Sequence, residues 1–366
     1  MEAARIRADV NQFPRLTWHN LRINHGKFDG ELDGRAECQI QTEEEARDFM
    51  THEEKIPGQV YGSDIRLVSQ MGQEFDAALD AFEDACAFPV DLFTVKENSS
   101  CGNVRISFSP GDKSRTFRDI VIHAEKGSRS CFIISAESGS GWGGVLGLRI
   151  RILADQGSSV HLVHANLLGK GFTSFTALAT LAGDGASVRT TQVELGAGKT
   201  FSGARHTLSG HRASNLGEMA YLARDGQETD INYVTHQTGR ETESSFTTEG
   251  VVAGNAKKTW RGTIDFVKGC VNSRGNESES VLLLSPDAEN KSLPVILCDE
   301  EAVEGSHGTS IGRLGKDVLF YLQTRGISEE EARALMIRAK ISSVARGIPD
   351  RDLYERIENF MNGVLL

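Results

Sequence analysis

A weak internal repeat limits what this chain can fold into more than any other feature. Ala124-Glu-Lys-Gly127-Ser128, Ala154-Asp-Gln-Gly157-Ser158 and Ala182-Gly-Asp-Gly185-Ala186 share the pattern A-x-x-G-[SA], with starts 30 and 28 residues apart. Each is followed by a strand-like run: Cys131-Phe-Ile-Ile, Val160-His-Leu-Val and Val188-Arg-Thr-Thr-Gln-Val. A glycine corner followed by a strand at near-constant spacing predicts stacked rungs of a β-solenoid, each burying its apolar side on the next. Between about 103 and 300 the apolar period is two. Val104, Ile106 and Phe108 alternate with Arg105 and Ser107, and Leu148-Arg-Ile-Arg-Ile152 repeats the alternation. The chain has 38 glycines against 7 prolines, which suits many tight turns between short strands. Alternation alone does not fix topology, so a β-sandwich is the alternative.

The flanks read differently. Residues 1–95 form a mixed α/β region, 96–305 the β core and 306–366 a small helical domain. Glu74 to Cys86 places Phe75, Leu79, Phe82 and Cys86 on one helix face, with Asp76, Asp80, Glu83 and Asp84 read as a solvated side. Ala87-Phe-Pro89 ends that helix, because proline pushes its predecessor out of the α region. Near the C-terminus, Ser328-Glu-Glu-Glu331 is a capping box, followed by an apolar stripe of Ala332, Leu335, Met336 and Ala339. A last helix from about Arg351 to Asn362 carries Leu353, Ile357, Phe360 and Met361, with Gly363 as its stop. These helices are expected to close the end of the solenoid.

Composition removes whole classes of function. The 366 residues hold 51 acidic and 40 basic side chains, a net charge of −11, which argues against nucleic-acid binding. The longest apolar runs, such as Val281-Leu-Leu-Leu284, are too short to span a bilayer, so no membrane partner is expected. The start, MEAARIRADVNQF, has charges of both signs and no apolar core of a secretory signal, so a cytoplasmic protein is expected. Six scattered cysteines form no C-x-x-C pair, and three N-x-S sequons carry no weight without secretion. Gly139-Ser-Gly-Trp-Gly-Gly144 matches G-x-G-x-x-G, but a strand follows it where a dinucleotide site needs a helix. Gly198-Lys-Thr200 lacks the first glycine of a phosphate loop, since that position is Val193. His206 with His211, and Asp225 with Asp230, sit among glycines and read as exposed rung or turn positions.

The densest chemistry lies where core meets cap, in Pro294-Val-Ile-Leu-Cys298-Asp-Glu-Glu301-Ala-Val-Glu304-Gly-Ser-His307-Gly308. Read as one strand, it puts Cys298, Glu300 and Glu304 on one face and Val295, Leu297 and Val303 inward. Thiolate, carboxylate and imidazole together suit iron, although one chain brings too few thiolates for a Cys₄ cluster and two chains would double them. The bland alternative is an ordinary last strand with a half-buried cysteine.

Several strings in the last third closely resemble one family. Leu282-Leu-Leu-Ser285, Leu293-Pro294, Ser306-His307-Gly308, Ile311-Gly-Arg-Leu314 and Leu319-Phe-Tyr321-Leu-Gln-Thr-Arg325-Gly326-Ile327 carry the likeness, with Glu331-Ala332 after them. Thr191-Gln-Val-Glu194, Phe246-Thr-Thr-Glu-Gly250 and Trp260-Arg-Gly262 resemble the same family more loosely. It is the SufB/SufD family, scaffolds of the SUF iron–sulfur cluster assembly system, and the likeness runs over about 100–345. The resemblance implies a right-handed parallel β-helix with a helical C-terminal domain, and a non-enzymatic scaffold. It also implies pairing with a second SufB/SufD-type subunit, as homo- or heterodimer, through the β-helices. An ABC-type ATPase, SufC, would be held by the C-terminal helices, and sulfur would come from a cysteine desulfurase. Use of a reduced flavin is left open.

By the same resemblance His307 falls on the histidine of S-H-G, a cluster ligand in SufD-type chains. Cys298, Glu301 and Glu304 join it as candidate iron or cluster ligands by proximity alone. Phe320, Tyr321 and Leu322 are the expected ATPase contacts, with Arg325 and Gly326 shaping the turn behind them. Two cysteines of B-type chains are missing, one from Ser285–Pro294 and one replaced by Leu181. That departure points to a SufD-like chain or a short single-scaffold variant. Two rivals remain: a structural adaptor that holds the ATPase without its own ligands, and a β-helix carbohydrate-active enzyme, which would need carboxylates converging in a groove.

Overall fold

The computed structural model describes residues 3–14, 23–56 and 67–365. Five strands lead in: β1 (Ala4–Val10), β2 (Gly26–Leu32), β3 (Gly34–Arg35), β4 (Cys38–Thr42) and β5 (Met50–Lys55), followed by helix α1 (Gln73–Cys86). The first coils of the core are β6 (Val90–Val95), β7 (Ser100–Phe108), β8 (Arg115–Ala124), β9 (Arg129–Glu137), β10 (Gly143–Ala154), β11 (Ser159–Leu167), β12 (Gly171–Ala182) and β13 (Ser187–Glu194). The later coils are β14 (Lys199–Leu208), β15 (Ser214–Ala223), β16 (Glu228–Gln237), β17 (Glu243–Val252), β18 (Lys257–Phe266), β19 (Arg274–Leu283), β20 (Glu289–Cys298) and β21 (Glu304–Arg313). Helices α2 (Lys316–Thr324), α3 (Glu329–Ala345) and α4 (Arg351–Leu365) complete the chain.

Even-numbered strands from β6 to β20 pair in parallel in one sheet and odd-numbered strands from β7 to β21 in the other. The product is a right-handed parallel β-helix, flanked by a mixed N-terminal region and C-terminal helices. The repeat marks the corner between the sheets: Ala124, Ala154 and Ala182 each end a strand of the first sheet. Gly127, Gly157 and Gly185 follow at φ of +67°, +68° and +63°, a left-handed conformation that glycine adopts without a Cβ penalty. Their amides donate to Gln156, Asp184 and His211 carbonyls on the next turn, at 2.8–2.9 Å, so the corners stack as the rungs do.

Strand parity divides the side chains between lumen and exterior. Phe132, Leu162, Leu178, Met219, Phe246 and Trp260 fill the lumen. Outside the first sheet, α1 and the β1–β2 hairpin bury Phe28, Phe75 and Leu79 against Phe117, Phe175 and Phe201. The expected apolar face of α1 is thus in place, but its acidic side is not simply solvated. Glu83 is buried and pairs with Arg149, which also binds Asp80 and Asp119. Asp76 is buried too, accepting the Ser69 amide at 2.7 Å. A strand arginine 66 residues away in sequence has drawn Glu83 inward.

The C-terminal helices lie along the flank of the solenoid instead of over its end. Ile337, Ile341, Val344, Leu353, Ile357 and Met361 pack on the outer residues of the second sheet, among them Val163, Val193, Leu222 and Leu282. The capping box at Ser328 forms as expected. The buried stripe of α3 differs from the expected one: Ala332 is buried, whereas Leu335 is 52 % exposed. The β-branched Ile337, Ile341 and Val344 bury more surface, and the helix rolls toward them. Helix α4 runs through Gly363 to Leu365. His206 is fully buried in the lumen, not an exposed rung position, with Thr180 Oγ1 2.9 Å from its Nδ1.

Candidate functional site

The two ends of the solenoid differ. At the first, β4 and β5 pair antiparallel to β7 and β6, and Ala46 and Met50 between them plug the lumenal core. At the other, both sheets stop on edge strands, β20 and β21, with nine of the ten residues of β21 exposed. The turn between these two strands, not a single strand, carries the sequence-dense segment. This reverses the expected facing of part of it. Val295 packs outside with Phe13, Ile23 and Leu293. Cys298 instead stands in register with Phe266, and Ile296 packs against Ile264, Phe266 and Cys270 at the mouth of the lumen.

A cavity of about 620 Å³ opens at this mouth, lined by Cys298, Glu300 and Glu301 together with Phe266, Ile296 and Val303. The exposed Cys298 thiol lies 3.0 Å from the Glu300 carbonyl oxygen. Glu300 organises the turn: its carboxylate accepts the Gly269 amide at 2.9 Å and the Glu301 amide at 3.0 Å. Those amides hold its carboxyl below the usual range, Gly269 first. Glu301 remains exposed at the rim.

His307 lies on β21 in register with Glu277, which is buried in the lumen, so the imidazole belongs to the lumenal column of the last rung. Glu304 takes the opposite parity and lies 3.2 Å from Arg274, outside the lumen. Of the four candidate ligands, then, Cys298 and His307 share the lumenal side of the terminal rung, Glu301 edges the cavity and Glu304 is engaged elsewhere. Among the described residues no three His, Cys, Asp or Glu side chains converge as one metal site.

Beyond the last strand, α2 is largely uncovered. Val318, Phe320 and Tyr321 are 48, 68 and 58 % exposed, whereas Leu322 is half-buried. The Arg325 guanidinium stands 5.4 Å over the Tyr321 ring. Gly326, at φ +83°, closes the helix by donating to the Gln323 carbonyl, as the turn reading expects. A row of exposed apolar side chains on a short helix is a feature that soluble surfaces otherwise keep small.

The lumen below the open end holds charges that the sequence reading missed. Glu277 and Glu279 have the parity of Val281 and face inward with it. Lys258, fully enclosed, pairs with Glu279, and Tyr221 donates to the same carboxylate at 2.9 Å. Burial lowers Lys258 to a pKa of about 8, opposed by Glu279. In Asn276-Glu-Ser-Glu-Ser280 the alternation resembles a solvated strand, and only its phase relative to Val281 and Leu283 betrays the inward side.

Comparison with known proteins agrees with this architecture. A family model described as SUF system FeS cluster assembly, SufBD core domain, matches residues 107–340. Among curated relatives, the chain is 26 % identical over 295 residues to the iron–sulfur cluster assembly SufBD family protein ycf24 of Trieres chinensis, covering 77 % of this chain and 60 % of that protein. It is 27 % identical over 184 residues to the chloroplastic SufBD family protein ABCI8 of Arabidopsis thaliana, 50 % of this chain and 33 % of that one. It is 30 % identical over 126 residues to the iron–sulfur cluster assembly protein SufD of Bacillus subtilis, 34 % of this chain and 29 % of that protein. The chain therefore spans less than two thirds of the length of each of these relatives. The family model covers well over half of the chain, and with the parallel β-helix it places this protein in the SufB/SufD family of SUF-system iron–sulfur cluster assembly proteins.

Proposed function

We propose that this chain is a non-enzymatic scaffold subunit on which iron–sulfur clusters are built, with the open terminal rung as its working surface. The observation that carries the reading is that Cys298 and His307 both take the lumenal side of a solenoid end that is uncapped among the described residues. A thiolate and an imidazole suit iron and sulfide as cargo, and two ligands per chain leave a cluster to be completed from elsewhere. The edges of β20 and β21, unpaired among the described residues, supply the means: such a parallel edge is a template for a strand of another chain. A second SufB/SufD-type subunit meeting this edge would bring its own ligands to the same rim. Glu301 is then available from the rim, while Glu304 must leave Arg274 to take part.

In this reading 96–305 is the assembly core and 306–366 the part that holds an ABC-type ATPase of the SufC kind, through Phe320, Tyr321 and Leu322. ATP hydrolysis belongs to that partner, and sulfur arrives from a cysteine desulfurase in the cytoplasm. Exposed Cys298 makes the site oxygen-sensitive.

Co-purification with the ATPase tests the docking half of the proposal. The wild-type chain should retain the ATPase, whereas Phe320→Asp and Tyr321→Asp should each weaken retention at least tenfold while leaving the melting temperature unchanged. Undiminished retention by a folded double variant contradicts the assignment of α2. Anaerobic reconstitution of the complex with ferrous iron and sulfide tests the other half, through the visible absorption of a bound cluster. A complex that never gains it is the adaptor of the rival reading.

A further inference from the structure

The two lumenal glutamates below the open end are not equivalent. Glu279 is fully engaged on one oxygen by Lys258 and Tyr221, and the Lys258 ammonium also donates to Ser292 Oγ at 2.9 Å and to the Lys291 carbonyl at 3.3 Å. Its negative charge is matched by one positive charge. Glu277, two residues away on the same face, is only 2 % exposed, and neither of its carboxylate oxygens has a hydrogen-bond partner. A buried carboxylate left in that state is destabilising, so a retained one calls for a partner.

The surroundings narrow the choice. Across the lumen lies Gly262, where a Cβ would fall 1.1 Å from Glu277 Oε1; only glycine leaves room for the carboxylate. Pro294, the register partner of Gly262 on the last rung, has no amide proton to offer. The Trp260 indole N–H is also unpaired, and it is the Cη2 edge of that ring that lies against Gly262. On the outer side, the register partner of Glu277 is His307. Neighbouring strands run about 4.8 Å apart, so same-face side chains of a glutamate and a histidine reach each other with ordinary rotamers.

We infer that Glu277 is a positioning residue for His307: its carboxylate accepts one imidazole N–H and turns the other ring nitrogen toward the open end. Ligating histidines are commonly held in this way, with the second nitrogen donating to a carboxylate that fixes tautomer and ring orientation. Burial and the neighbouring Glu279 raise the Glu277 carboxyl well above the ordinary range, and an N–H from His307 is the interaction that would offset them. The inference rests on His307 being a ligand; the Glu277 carboxylate is unpaired in this structure, and the pairing requires a change of side-chain rotamer, not iron.

The test therefore uses the metal-free full-length chain, labelled with ¹⁵N-histidine, and reads the His307 ring nitrogens by NMR. In wild type one tautomer should dominate, and Glu277→Met should leave the two tautomers mixed. Glu277→Gln should keep the wild-type tautomer, because its amide oxygen still accepts. If Glu277→Met does not fold, the reciprocal variant His307→Ala, at an exposed position, serves: the Glu277 ¹³C-carboxyl midpoint should rise. A His307 spectrum unchanged in folded Glu277→Met, a Glu277 midpoint unmoved in His307→Ala, or a response confined to the Trp260 indole overturns the inference. Failure of cluster assembly in His307→Ala is read separately, so either claim can fall without the other.

Discussion

Gly250 shows how closely the lumenal residues are fitted. The Tyr221 ring passes over it on the way to Glu279, and a Cβ there would lie 2.0 Å from Tyr221 Cζ. Gly250→Ala should therefore cost about 1–3 kcal/mol, seen as a lower urea midpoint at unchanged slope. Gly308→Ala meets nothing within 4 Å and should stay within about 0.5 kcal/mol of wild type. His206 contributes to the acid side of the stability profile. Burial depresses it to a pKa of about 3, so it stays neutral in the fold where a free histidine, at about 6.5, takes up a proton. Between those values the unfolded chain binds the extra proton, and stability must fall as the pH drops. From pH 6.5 to 5, His206→Gln should lose about 2 kcal/mol less than wild type in urea unfolding; parallel profiles would contradict the lumenal placement. Such residues were hard to read from sequence for one reason. Parity assigns a side to each strand residue only once the phase of the strand is known, and polar runs such as 276–280 conceal that phase.

At the scale of elements, local pattern was legible and docking was not. Phe75, Leu79 and Phe82 on α1, the Ser328 capping box and the glycine corners all follow from spacing within a dozen residues. The roll of α3, the capture of Glu83 by Arg149 and the placement of the helices on the flank depend on partners far away in the sequence. Helix α4 illustrates the energetic consequence. Met361 is fully buried against the second sheet, so Met361→Ala should destabilise the protein by about 2–5 kcal/mol. Leu335→Ala, removing a side chain from the exposed side of α3, should change the melting temperature by no more than about 2 °C. The opposite ranking would mean that the stripe read from the sequence is the buried one after all.

At the scale of the whole molecule the asymmetry of the solenoid organises everything else. One end is closed by antiparallel strands and plugged by Ala46 and Met50, and both flanks are covered by helices. The other end keeps two parallel edges, a cavity, a thiol and an imidazole. The sequence pointed to this place through the S-H-G string and the nearby Cys298, but not to the turn that separates them or to the charged lumen beneath. The central claim is that iron and sulfide are held at this rim. Its most direct test is the iron and acid-labile sulfide content per protomer of the chain co-expressed with the proposed ATPase partner and purified without oxygen. Near-stoichiometric amounts that collapse in His307→Ala and in Cys298→Ala, but not in Leu335→Ala, are the predicted result. Iron and sulfide that persist undiminished in the first two variants would place the cluster elsewhere and contradict the account.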